Sequence, residues 1–335
     1  MAGLANWEGC RWDGHGAFYE SWFQRANHPS RPLAFWVRHT IFCPAGRPEA
    51  AQGEIWSIWF DGENGRVTAG KTEIAGSTCS FDPHRLDVQM PGARLLPGEL
   101  EGGTEVMAWK LNWSSGGPPS LLLPESLNAG GFPKAKALCV VPNAHFNGSV
   151  TVKGESHAIQ DWPGSHNHNW GSQHTDRYAW AQVCGFDGAP DVFLECATAQ
   201  IKVGPLMTPK LTIAVLVVEG RRYELNSIPR GLLATASVEG FRWQFSNSAA
   251  GVEIGVTIDA PASHFVGLRY RNPPGGAKAC LNSKIARCTL SLREGGLTRT
   301  FTSANRAAFE ILCEESDPRV VAVGGLWAQP RASQA

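Results

Sequence analysis

The sequence predicts an all-β protein made of many short antiparallel strands. Three observations carry this. Apolar residues alternate with polar ones in runs of four to nine residues, most of them bounded by Gly, Pro, Asn or Asp. No long segment shows the 3.6-residue period of an amphipathic helix. The 37 glycines and 22 prolines supply frequent turns, while 13 tryptophans supply large, rigid apolar surface. That combination suits a β-rich protein with an aromatic-lined cavity.

In chain order, AFWVRHTIF (34–42), GEIWSIWFDG (53–62), RVTAGKTEI (66–74), EVMAWKLNW (105–113) and GSVTVKG (148–154) read as strands. After residue 170 follow DRYAWAQVCGFDG, DVFLECATAQI, TIAVLVVEGRRYEL, FRWQFS, VEIGVTI, HFVGLRY, KIARCTLSL and RAAFEIL. Many short, evenly spaced strands mean a sandwich or barrel. Their number exceeds one small barrel, and 335 residues can bury two cores. The polar stretch ESHAIQDWPGS, with its Pro-Gly pair, places a boundary near 155–165. The expected domains are therefore 1–160 and 161–320, with a poorly ordered tail over 321–335. SIWFDGENGRVTAGKTEI (57–74) and QVCGFDGAPDVFLECATAQI (182–201) echo each other as strand, FDG turn and strand. Asp-Gly hairpin turns recur for conformational reasons alone, so the echo is weak support for two similar halves.

A formal net charge of zero without a Lys/Arg run argues against nucleic acid or anionic membrane surfaces as partners. The longest apolar runs, such as IAVLVV (213–218), are too short to span a bilayer as helices. The N-terminal stretch lacks a basic segment followed by an apolar one, so no secretory signal is expected. Nine scattered cysteines without a CxxC read as reduced thiols packed as small apolar groups, consistent with a cytoplasmic protein and without a structural zinc site.

The chemistry concentrates in GSHNHNWGSQHTDRYAW (164–180). Successive side chains of an extended chain point to opposite faces. His166, His168 and Trp170 then share one face and Asn167 and Asn169 the other. In the next run His174, Asp176, Tyr178, Trp180 and Gln182 share a face against Arg177, Ala179, Ala181 and Val183. Such a polar-aromatic face suits either solvent or the wall of a ligand cavity. A metal reading would use His166, His168 and His174, but no carboxylate follows within NWGSQH. An acid–base reading uses His168 and Asp176, with Glu195 on the neighbouring strand. A carboxylic acid buried among tryptophans has a raised pKa and can protonate a substrate, and a histidine can orient it. Glu20, in FYESWF, is a further carboxylate, with Arg25 as a candidate partner. Asn282, Ser283 and Lys284 either reach a pocket mouth or finish a turn. The GxSxG, GxGxxG and GxxxxGK[ST] patterns of common hydrolases and nucleotide enzymes do not occur in suitable contexts.

HNHNWG (166–171) resembles the YHDHNWG-type motif of the lipocalin-like hydratase and cyclase group, which includes carotenoid 1,2-hydratase and tocopherol cyclase. LRYRNPPGGAKACLNSK (268–284) is similar to a late segment of tocopherol-cyclase-like proteins. The resemblance implies two consecutive lipocalin-like (calycin-type) antiparallel β-barrels and a redox-neutral, cofactor-free reaction on an apolar isoprenoid-like substrate. His168 and Trp170 match the hydratase's His-x-Trp pair. Phe193 and Glu195 stand at its aromatic-x-acid pair, where the hydratase has tyrosine and aspartate, and Asn167 replaces the acid between the two histidines.

The expected activity is hydration or cyclisation of an alkene in a hydrophobic isoprenoid- or polyketide-like molecule, without cofactor or metal. His168, Glu195, Asp176 and Trp170 are the expected catalytic residues. Tyr178, Trp180, Phe193, Gln182, His166 and Asn282 are expected to bind substrate. A non-catalytic carrier of a hydrophobic molecule and a His-ligated metal enzyme are the competing readings. No nucleic acid and no membrane insertion are expected.

Overall fold

Two eleven-stranded sheets account for most of the residues described by this computed structural model, 8–114, 116–315 and 317–323. The first sheet contains β1 (Phe18–Asn27), β2 (Leu33–Cys43), β3 (Gln52–Asp61), β4 (Arg66–Ala75), β5 (Ser80–Phe81) and β6 (Val88–Met90). It continues through β7 (Ala93–Leu96), β8 (Glu99–Gly103), β9 (Met107–Ser114), β10 (Ala135–Val152) and β11 (Glu155–Gly171). Across the sheet the order is 4-3-2-1-11-10-9-8-7-6-5. The second sheet begins with β12 (Arg177–Phe186) and β13 (Ala189–Gln200), followed by a separate small hairpin of β14 (Lys202–Val203) and β15 (Leu206–Met207). It then adds β16 (Leu211–Val218), β17 (Arg221–Leu225), β18 (Thr235–Glu239), β19 (Arg242–Ala249) and β20 (Val252–Asp259). Last come β21 (Val266–Arg271), β22 (Ala277–Glu294), β23 (Leu297–Cys313) and β24 (Val321–Val323). The order is 17-16-13-12-23-22-20-19-18, with β21 paired to β22 and β24. The fold class is the one the sequence predicts: all-β, with curled antiparallel sheets forming half-barrels.

The sheets change between Gly171 and Arg177, so residues 155–165 are not the break expected from their polarity. They are the first part of the 17-residue strand β11, with Ile159 and Trp162 in the first core. The Pro-Gly pair marks close strand approach rather than a linker. A Cβ on Gly164 would lie 2.1 Å from the Arg25 carbonyl oxygen, so only glycine fits there. Of the expected tail 321–335, Val321–Val323 pairs in parallel with Val266–Leu268, and residues 324–335 lie outside the described residues.

Both sheets run in the same sense of connection, and the long hairpins β10–β11 and β22–β23 hold equivalent places in them. By that order β12–β13 corresponds to β1–β2. The sequence echo had matched β12–β13 with β3–β4, because a shared Asp-Gly turn outweighed side-chain content.

Each sheet curls over its own core. Trp22, Phe35, Ile55, Trp109 and Phe146 fill the first, and Leu194, Leu216, Trp243, Leu290 and Phe309 the second. A third cluster lies between the sheets, where Trp36, Trp56 and Phe60 meet Leu268, Tyr270 and Cys280. At roughly 2 kcal/mol per large apolar side chain buried, this contact holds the halves together firmly. It also explains β2, whose eleven residues are all buried. Alternate residues serve two cores: Phe35, Val37 and Ile41 face the first, while Ala34 and Trp36 face the second sheet. In contrast β9, with one face in solvent, alternates strictly between buried and exposed.

Arg25 ties the sheets with polar bonds. From β1 its guanidinium donates to the Gln182 backbone carbonyl (3.0 Å) and side-chain Oε1 (3.1 Å) on β12, and to Cys184 Sγ (3.0 Å). It also donates to Asn27 Oδ1 at 2.9 Å. Removing a fully buried cation and orphaning its acceptors is costly. Arg25→Ala is expected to lower unfolding free energy by about 3 kcal/mol in urea denaturation.

Candidate functional site

Strand alternation sorts the first sheet's polar residues onto two faces. Opposite each other on the inner face lie Trp22 and His168, and Gln24 and His166. Tyr19, Ser21 and Phe23 take the other face, in register with Gly171, Asn169 and Asn167. The next strand continues it, with Arg38 beside Phe23 and Thr40 beside Ser21.

On the inner face His168 Nε2 lies 2.7 Å from Glu20 Oε1, both side chains fully buried. The imidazole stacks on Trp22 at 5.0 Å and lies 4.9 Å from Trp170. Glu20 also accepts the Arg11 amide (2.8 and 2.9 Å), the Trp12 amide (3.1 Å) and the Cys10 thiol (3.3 Å). Thus Glu20 pairs with His168 and not with Arg25, which leaves the strand on the opposite side. The Glu20 carboxylate pins residues 10–12 over the inner face. His166 bonds Gln24 at 2.7 Å and lies 3.5 Å from the Glu8 carboxylate, and burial pushes its pKa down.

Between the sheets lies a cavity of about 180 Å³. Tyr19, Phe23, Trp36, Arg38, Asn167 and Asn169 form its first wall. The second sheet contributes Tyr178, Trp180, Glu195, Ile213, Tyr270 and Glu310. Leu122 and Leu123 pack beside Ile213 at its edge. Apolar and aromatic walls with a few placed polar groups are the usual construction of a small-molecule site.

Two carboxyl groups in this cavity have opposite environments. Glu195 accepts Trp180 Nε1–H at 3.2 Å through Oε1, while Oε2 has no hydrogen-bond partner among the described residues. Burial pushes its pKa up to about 7, against smaller lowering effects of Trp180, Arg222, Arg25 and Gln182. Burial would raise Glu310 too, but Lys284 Nζ at 2.7 Å outweighs it and holds the pKa below the ordinary value. Glu310 also accepts Asn282 Nδ2–H at 2.9 Å and Tyr178 Oη–H at 3.2 Å. One carboxyl can therefore hold a proton near neutrality, and the other is an ionised structural partner.

The structure separates the residues expected to act together. Tyr178, Trp180 and Glu195 converge on the cavity. His168 borders it, but its imidazole is held by Glu20 on the inner face, so the expected His168–Glu195 partnership is not formed. Asp176 precedes β12 and is engaged by the Lys202 amide (2.7 Å) and Lys278 (3.5 Å). Trp170 packs with Leu138 and Val140 under Arg11, whose guanidinium lies 4.1 Å from its ring. Gln182 joins Arg25, Ser165 and Asn167 in the polar seam, and Phe193 packs on Cys139 and Cys184. Asn282 lies behind Glu310, bonded to it and to Lys284. His166 and His174 occupy opposite sides of the first sheet. His174 stacks on Tyr19 at 4.0 Å, bonds the Arg271 carbonyl, and has its pKa pushed by burial down to about 3. Consequently the three imidazoles of the metal reading do not meet, and among the described residues no group of three His, Cys, Asp or Glu side chains could hold a metal. None of the nine cysteines forms a disulfide. No described helix is long and apolar enough to cross a membrane.

Arg38 and Glu310 were not among the residues expected to act, and Lys284 was expected only at a pocket mouth or in a turn. Their signal is a lone charge inside an apolar run: AFWVRHTIF, CLNSKIA and AAFEIL. Such a charge is seldom buried unless paired or functional.

The fold and site define an all-β protein of two curled sheets with an acid-bearing cavity between them. Residues 136–325 match the tocopherol cyclase-like family, more than half of the chain, and the chain belongs to that family. The uncharacterized protein Rv0493c of Mycobacterium tuberculosis is 26% identical over 281 residues, covering 82% of each chain. The structure is similar to that of kievitone hydratase from Nectria haematococca (TM-score 0.60, 11% identity, 93% of each chain). It is also similar to an AttH-type protein from Nitrosomonas europaea (TM-score 0.57, 11% identity, 94% of this chain and 99% of that one). These likenesses establish a shared fold.

Two outcomes follow from this geometry. Trp170→Ala is expected to cost about 3 kcal/mol in thermal or urea denaturation, because the ring is packed rather than free. For Glu195 the folded pKa lies above the unfolded value of 4.5. Its contribution to stability is therefore fully present below pH 4.5 and is lost as pH rises through about 7. Glu195→Gln should remove about 3 kcal/mol of this pH dependence, gaining stability on the wild type at pH 8.5 and losing the advantage at pH 4.

Proposed function

We propose that this protein is a cofactor-free acid–base enzyme of hydratase or cyclase type, acting on an alkene of a hydrophobic substrate held between the two sheets. The observation that carries the reading is the unpartnered Oε2 of Glu195. It belongs to a buried carboxyl group that lines the cavity and has a pKa near neutrality. An acid poised near the working pH is suited to general acid catalysis.

In this mechanism Glu195 gives its proton to one alkene carbon and becomes a carboxylate. Positive charge develops on the other carbon. The faces of Trp180, Trp36 and Phe23 lower its energy by about 0.5–2 kcal/mol per well-placed ring. Water, or a hydroxyl of the same substrate, adds to the cation. The proton lost by that oxygen returns to Glu195, directly or through water. Addition of water is hydration and addition of the internal hydroxyl is cyclisation; neither changes the oxidation state of the enzyme. Family membership supports this chemistry.

The test is incubation of the purified protein, and of Glu195→Gln, with an apolar extract of the source cells in heavy water. Mass spectrometry should find one species that gains deuterium, with or without D2O, only with the unaltered protein. Glu195→Gln should turn over at least a hundredfold more slowly while still retaining that species through gel filtration. Retention by both proteins without any mass shift would refute catalysis and establish a carrier.

A further inference from the structure

Among the described residues, two cations that line the cavity have no carboxylate within ion-pair distance, Arg38 and Lys136. Lys71 and Arg271 both bond the Glu54 carboxylate, and both also approach Glu73, so two positive charges meet two negative ones. Lys284 is matched by Glu310. Arg38 has no carboxylate within ion-pair distance among the described residues, although its side chain is buried and lines the cavity. Its guanidinium is held in place by hydroxyls, and the Glu54 and Glu310 carboxylates act on it only from beyond ion-pair distance. Nη2–H donates to Ser21 Oγ at 2.6 Å, Nε–H donates to Thr40 Oγ1 at 3.1 Å, and the group lies 4.6 Å from the Tyr270 ring.

Arg25 is a built-in comparison. It too is a buried guanidinium without a carboxylate, but Nε, Nη1 and Nη2 all have acceptors. Arg38 spends two of its nitrogens on hydroxyls, and Nη1 has no hydrogen bond among the described residues. A buried cation, oriented by two hydroxyls and one ring, with donors left over at a cavity wall, is an anion site. Lys136 also lines the cavity, but its ammonium donates to the backbone carbonyls of Asn128 and Gly130.

We infer that Arg38 anchors an anionic oxygen of the substrate, so that the substrate is amphipathic, with a carboxylate- or phenolate-type oxygen on an apolar, alkene-bearing body. This rests on the reading of the cavity as the substrate site, and it changes the substrate class from a pure hydrocarbon. It also removes a difficulty. Positive charge developing on carbon near a guanidinium that no carboxylate contacts directly is disfavoured, and an oxyanion seated on Arg38 lowers that repulsion. Arg38 is a specificity-determining residue in this account, and Glu195 remains the proton donor.

The probes are 2-naphthoate and its neutral amide, 2-naphthamide, which share a shape and differ in charge. Equilibrium dialysis at pH 6 would measure both against the wild type, Arg38→Gln, Arg38→Lys and Lys136→Gln. The wild type should bind naphthoate at least tenfold more tightly than the amide. Arg38→Gln should bring that ratio close to one while leaving amide affinity unchanged, which also reports an intact fold. Arg38→Lys should keep an intermediate preference, and Lys136→Gln the full one. A wild-type ratio near one with both probes bound would overturn the inference and leave the cavity standing as a binding site. So would loss of the preference in Lys136→Gln, a result that decides the matter even should Arg38→Gln not fold. Failure of the wild type to bind either probe would overturn the cavity reading as well.

Discussion

Strands β1, β2 and β3 have almost no solvent face, and this two-sided burial is the constraint on which the rest of the molecule depends. Their inner faces close the first half-barrel and their outer faces close the space between the sheets. Any polar group on them must find its partner within the protein, because water is excluded from both sides. The seam of Arg25, Gln182, Ser165 and Asn167 meets that requirement with bonds of 2.6–3.3 Å. The requirement is not met everywhere: Gln24 Oε1, Trp36 Nε1 and both His39 ring nitrogens are buried without partners among the described residues, while Arg38 and Glu195, each with a polar atom left unbonded, line the same cavity.

The same constraint divides the histidine-rich motif. Because side chains alternate, a strand buried on both faces sends neighbouring residues into different compartments. His166 and His168 enter the first core and Asn167 and Asn169 face the cavity, although they are adjacent in sequence. Glu20 then completes the inner side by holding residues 10–12 and His168 at once. Inner network and cavity share a strand without sharing side-chain chemistry.

Glu195 and Glu310 show how far surroundings outweigh residue type. Both are buried carboxyl groups at the same cavity. Lys284 beside Glu310 favours the charged form there. Glu195 has an indole donor and only weaker effects from Arg222, Arg25 and Gln182, so desolvation prevails and the neutral form persists to about pH 7. A reader of the sequence sees two glutamates in apolar strands and has no means of telling them apart.

The sequence by itself determined the strand-rich all-β architecture. Alternation, turn residues and the absence of helical periodicity are local properties, and local properties survive without knowledge of neighbours. Tyr178, Trp180 and Glu195 were legible for the same reason, since one hairpin carries all three. Only the tertiary structure decided that Trp170 and His168 turn away from Glu195, that Asp176 is tied to Lys202 and Lys278, and that the sheets divide after Gly171. It alone brought Arg38 from β2 opposite Glu195 from β13. Those facts depend on which face of a strand meets which partner, and a strand covered on both sides carries no polar-apolar alternation from which to read the answer.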